Sequence, residues 1–97
     1  MSLEQIAEQQ PEVIRAMYRF KNEVFKNGAL SFREKELIAV AVTAVLKCDN
    51  CLKMHSQKAM GAGATRDQLR ESLLVAMYLG GPSAVVGMPS IDELLSR

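Results

Sequence analysis

The sequence predicts an all-α domain of five or six helices, and three observations point there. Apolar residues recur at helical spacing along most of the chain. Four-residue capping patterns stand ahead of apolar runs at "SFRE", "TRDQ" and "SIDE". Strand alternation is absent, and the single hairpin-like dipeptide, Asn27-Gly28, falls at a helix end. Composition agrees: 48% of residues are hydrophobic, yet there are three Phe, two Tyr and no Trp. The apolar share is Ala, Val, Leu, Ile and Met, the material of helix bundles.

The elements follow in order. Pro11 begins "PEVIRAMYRFKNEVFKNG", with Val13, Met17, Phe20, Val24 and Phe25 at helical spacing and Gly28 as the stop. Ser31 and Glu34 then form a capping box for a helix carrying the apolar run Leu37 to Leu46. A helix apolar all round belongs at the centre of a bundle or at a subunit interface. The next segment, "CDNCLKMHSQKAMGAGAT", is predicted helical to about Met60 and broken by Gly61 and Gly63. Thr65 opens another helix, with Leu69, Leu73, Met77 and Tyr78 apolar, which Gly80-Gly81-Pro82 ends. "SAVVGMPSIDELLSR" is helix-like, interrupted by Gly87 and Pro89, with a fresh cap at Ser90.

Residues 1–97 read as one domain, near the commonest domain size. A chain this short buries only roughly 60–65% of its unfolded surface, so its apolar content predicts a homo-oligomer. A formal net charge of +1, with no run of three basic residues, gives nucleic-acid binding no support. The longest apolar run is too short to span a bilayer. The polar, acidic start "MSLEQIAEQQ" is unlike a signal peptide, which predicts a cytoplasmic protein. In a reducing compartment a close cysteine pair is more often catalytic or metal-binding than a structural staple.

Both cysteines and the single histidine fall within "CDNCLKMH", Cys48 to His55. On a helix, Cys48, Cys51 and His55 stand at i, i+3 and i+7, within a stripe roughly 60° wide. Cα atoms three apart lie about 5 Å from one another, close enough for a Cys48–Cys51 disulfide. Cys51 and His55 are i, i+4 neighbours. Such a face suits redox chemistry, because the thiolate is the attacking species and a free thiol is mostly protonated at neutral pH. A helix start near Cys48 favours a thiolate there, whereas His55 can take the proton of Cys51. The two devices favour different sulfurs, so the first attacker stays open. Two other readings stand beside the redox one. The cysteines can be small apolar residues without chemistry. They can also bind metal, although two Cys and one His need Glu36 or water as a fourth ligand. Elsewhere, "GAGAT" reads as a helix-to-helix turn rather than an anion site, and the methionines as core or interface filler.

The stretch "CDNCLKMHSQKAMGAGAT" resembles the alkyl hydroperoxidase D-like group of the carboxymuconolactone decarboxylase family. That group carries C-x-x-C-x-x-x-H, a following "GAT" turn and a glutamate twelve residues before the first cysteine. Here the glutamate is Glu36, within "SFREKELIAVAV", and "MYLGGPSAVVG" is similar to the family's later Gly-rich turn. The resemblance covers residues 31 to about 88. It implies an all-helical fold, assembly into trimers or hexamers, and a catalytic set of Glu36, Cys48, Cys51 and His55, with no cofactor. The glutamate and histidine would relay a proton while the thiols react with a peroxide or a disulfide partner. A lipoyl or thioredoxin-like dithiol would restore the pair. Glu36 also has a plain reading, as an acidic residue favouring the helix dipole, although Glu34 already fills the cap. Folding is expected to survive replacement of Glu36 or His55, because neither residue is needed to build the apolar core. The best-known members are nearly twice as long and carry a histidine where Asn50 stands. The shorter chain implies contacts from neighbouring subunits. The family's decarboxylase branch, which does not rely on a cysteine pair, is the rival enzyme reading, and a non-catalytic oligomeric binding or metal module is the third.

Overall fold

In a computed structural model that describes residues 1–96, the chain forms six α-helices and one 3-10 turn, with no strand among the described residues. The first helix, α1 (Leu3–Gln9), is additional to the sequence reading, which begins at Pro11. Ser2 caps it through the Gln5 amide, and the Gln5 side chain accepts from the Ser2 amide in return. α2 (Pro11–Phe25) starts on proline, whose missing N–H is harmless in a first turn. Then come α3 (Phe32–Val45), α4 (Asp49–Gly61), α5 (Arg66–Gly80), the 3-10 turn Pro82–Ala84 and α6 (Ile91–Leu95). The three capping boxes read from the sequence all close, at Ser31–Glu34, Thr65–Gln68 and Ser90–Glu93. No helix among the described residues is long and apolar enough to cross a membrane.

The Ser31 amide, followed by the Ser31 hydroxyl, holds the Glu34 carboxyl below its ordinary range. A carboxyl so lowered stabilises the fold above the ordinary carboxylate pKa, and that contribution is lost as the pH falls through the lowered value. Acid is therefore expected to fray the start of α3 in the wild type, with Glu34→Gln losing this pH dependence. Amide exchange at Ser31 against pH checks it.

Two helix ends are built alike. At the end of α3 the Cys48 N–H reaches the Thr43 carbonyl and the Lys47 N–H reaches that of Ala44, both at 3.2 Å. At the end of α4 the Ala64 N–H bonds to Ala59 and the Gly63 N–H to Met60, each at 3.0 Å. Both are Schellman endings, which require a left-handed residue at the first position past the cap. Gly63 supplies it in the second, with φ +98°, but in the first the left-handed residue is Lys47, with φ +62°. An L-residue pays a steric penalty there that glycine avoids, offset in part by glycine's larger unfolded-state entropy. Lys47→Gly is expected to raise stability by up to about 1 kcal/mol. A higher denaturant midpoint at unchanged slope would show it.

α3 is the central helix, packed along α4 and α5, while α6 closes on α4. The core is Val40, Ala44, Leu52, Leu69, Leu73, Ala76 and Leu94. Gly80 lets the end of α5 approach closely, since a Cβ there would lie 3.1 Å from a Val45 methyl. The run Leu37 to Leu46 is central yet only half covered. Val40 and Ala44 are buried, but Ile38, Val42, Val45 and Leu46 are 43–69% exposed. α1 and α2 contribute no buried residue at all.

Among the described residues, one buried side-chain group lacks a hydrogen-bond partner. The Ser56 hydroxyl, on the core side of α4, is enclosed with no hydrogen bond. Its desolvation is uncompensated, so Ser56→Ala is expected to stabilise the protein by about 1 kcal/mol. Thermal or denaturant unfolding of that variant tests this.

Candidate active site

The left-handed turn at Lys47 brings Cys48 to the N-cap of α4, with extended backbone (φ −97°, ψ 93°). Cys48 is thus the cap of the helix and not a member of it. The sequence picture of three side chains on one helical stripe is corrected to two, Cys51 and His55. The Cys48 sulfur does what an N-cap oxygen does elsewhere, accepting from the Cys51 N–H at 3.3 Å. Cys48 and Cys51 are joined in a disulfide across a Cα separation of 5.3 Å. Both are half-buried.

One turn further along α4 stands His55, roughly 6 Å along the axis from Cys51. Its ring meets α3, where Glu36 is only 1% exposed. The imidazole Nδ1 donates to Glu36 Oε2 at 2.5 Å, with the two side chains 15% and 2% accessible. A carboxylate can only accept, so this contact puts the proton on Nδ1 and leaves Nε2 as the free basic nitrogen. Glu34 does fill the capping role, which frees Glu36 for the interior. Among the described residues no hydrogen bond joins His55 to either sulfur; the two pairs are linked through their spacing on α4.

Two residues that sequence reasoning did not connect with the site complete it. The Phe25 ring lies parallel to the imidazole, centroids 5.8 Å apart at 12°, and meets Phe32 edge-on at 6.4 Å. Lys35 Nζ donates to the carbonyls of Val24 (2.8 Å) and Lys26 (2.7 Å). Phe25 and His55 together form a wall shared by two cavities. One, about 410 Å³, is lined by apolar Val24, Ile38, Ala39 and Val42. The other, about 290 Å³, opens among Lys21, Lys26 and Lys58. Tyr18 and Tyr78 stand on the surface. The described residues gather no cluster of three or more His, Cys, Asp or Glu side chains placed to hold a metal.

The sequence profile of the carboxymuconolactone decarboxylase family matches residues 11–92. The chain belongs to the carboxymuconolactone decarboxylase family. An uncharacterised protein of the cox locus of Paracoccus denitrificans is 47% identical over 61 residues, covering 63% of this chain and 55% of that protein. The alkyl hydroperoxide reductase AhpD of Anaeromyxobacter dehalogenans is 38% identical over 48 residues, or 50% of this chain and 26% of the reductase. The chain therefore spans about half of the first relative and about a quarter of the second. Among solved structures, a carboxymuconolactone decarboxylase family protein of Legionella pneumophila superposes with a TM-score of 0.82 at 32% identity. That match covers 96% of this chain and 80% of the other.

Proposed function

We propose that this member of the family is a thiol–disulfide oxidoreductase, working in the cytoplasm on a peroxide or a partner disulfide. The observation that carries the reading is a closed cysteine pair at the start of α4, with His55 one turn further along that helix and held by the buried Glu36 of α3. His55 Nε2 takes the proton of a cysteine, and the thiolate attacks. With a hydroperoxide, the sulfur bonds to one peroxide oxygen, the O–O bond breaks and an alcohol leaves with a proton. The second thiol then attacks the sulfenic sulfur, its S–O bond breaks, and the hydroxyl leaves with the thiol's proton as water, giving the Cys48–Cys51 disulfide. With a disulfide, a mixed disulfide forms first and the second thiol resolves it. Two electrons from a lipoyl or thioredoxin-like dithiol then return the pair to thiols.

The test is steady-state reduction of peroxide and of disulfide with dithiol donors, for wild type beside Cys48→Ser and Cys51→Ser. Both variants are expected to lose turnover. Turnover of a lactone by a cysteine-free variant would instead support the decarboxylase branch, in which acid–base residues act alone. The chain is further proposed to assemble into a trimer or hexamer. Support comes from the exposed apolar side chains of α2, α3 and α5, among them Phe20, Ile38 and Leu79. Light scattering that found a stable monomer at micromolar concentration would refute this.

A further inference from the structure

His55 is the chain's single histidine, and its ring is held from two directions. Glu36 fixes the Nδ1 edge, but an imidazole with one hydrogen bond can still swing about it. Phe25, parallel to the ring and offset from it at a centroid distance of 5.8 Å, limits that freedom. Phe25 ends α2, a helix without a buried residue, so core packing does not hold it in place. Polar contacts do. Lys35 Nζ uses two of its three donors on the Val24 and Lys26 carbonyls, which bracket Phe25 in sequence. Asn27 Oδ1 accepts from the Phe32 N–H at 2.7 Å, next to the Phe25–Phe32 edge contact. A lysine at a helix C-terminus ordinarily only satisfies spare carbonyls. Here the carbonyls it holds flank Phe25, whose ring is stacked with the imidazole.

We propose that Phe25 is a positioning residue for the His55–Glu36 pair, and that Lys35 acts through it by holding the end of α2 over the imidazole. This rests on the dithiol reading above. Misplacing a general base forfeits part of the about 10²–10⁴-fold that such a group supplies, so the effect should be visible in rates. The test compares wild type, Phe25→Leu, Lys35→Met and Lys35→Arg, each shown to be folded by circular dichroism. One readout is the NMR position of the His55 ring protons, unambiguous in a protein with one histidine. The other is the rate at which the reduced protein reacts with a small aryl disulfide.

In the wild type the Phe25 ring current should displace the His55 resonances. Phe25→Leu keeps the apolar bulk but should abolish that displacement and slow the reaction about tenfold or more. Lys35→Met should move both readouts the same way by less, and Lys35→Arg, which can still donate to both carbonyls, should restore them. The lysine pair tests the idea without altering the ring, should Phe25→Leu fail to fold. A folded Phe25→Leu as fast as the wild type, or a Lys35→Met with both readouts unchanged, overturns the inference. A wild type no faster than a free dithiol would sink the dithiol reading and this inference with it; a fast wild type matched by Phe25→Leu sinks the inference alone.

Discussion

Replacing His55 with alanine is expected to destabilise the protein by roughly 3–5 kcal/mol, because it strands a buried carboxylate. Glu36 is almost wholly enclosed, and the His55 ring N–H is the hydrogen bond it receives from α4. Small domains are stable by only about 5–15 kcal/mol, so this is a large share of the total. Glu36→Gln should cost less, about 1–3 kcal/mol, since a neutral amide is less expensive to enclose than a charge. Replacing both residues with leucine should recover most of the loss, because exchanging both buried polar partners for apolar groups leaves neither unsatisfied. Denaturant unfolding of the three variants measures it, and a His55→Ala midpoint equal to that of the wild type would refute it. The apolar core contains neither residue, as the sequence leads one to expect. Stability is expected to depend on the pair nonetheless, because Glu36 is enclosed with His55 as its partner.

What the sequence discloses and what it hides divide along the range of the interactions. The capping boxes at Ser31, Thr65 and Ser90 are contacts three residues long, and a local pattern of serine or threonine with a later glutamate or glutamine specifies them. "SLEQ" at Ser2 carries the same signal for α1 and was legible on the same grounds. Cys48 as a cap was harder to read, because cysteine is not among the usual capping residues and the helix boundary turns on a left-handed lysine. The Cys48–Cys51 pairing follows from spacing. The Glu36–His55 contact spans nineteen residues, and only the family resemblance brought it into view. Phe25 and Lys35 were beyond reach: their contacts depend on how the end of α2 lies against Lys35 of α3 and the His55 ring, which no periodicity within α2 encodes. The apolar run of α3 predicted a centre or an interface, and the exposed side of that helix leaves room for both.

The two sulfurs are expected to respond differently to the relay. In Cys51→Ser, the remaining Cys48 thiolate keeps the residue-51 amide as donor and sits at the N-terminus of α4. Those features lower a thiol below its ordinary value of about 8.5 without any help from His55. In Cys48→Ser, the remaining Cys51 lies inside the first turn, one helical turn from His55, and depends on Nε2 to take its proton. Adding His55→Ala should therefore leave the Cys48 titration in place and move that of Cys51 upward. In the otherwise intact dithiol, the same substitution should slow disulfide formation by about 10²–10⁴-fold, the range a positioned base supplies. Glu36→Gln should follow with a smaller loss, because the amide still holds the ring but no longer compensates the imidazolium. Ultraviolet thiolate absorbance against pH gives the titrations, and stopped-flow oxidation of the reduced protein gives the rate. If His55→Ala moved neither thiol and left the rate unchanged, the buried pair would be a structural feature of α3 and α4, and the proton relay would have to be abandoned.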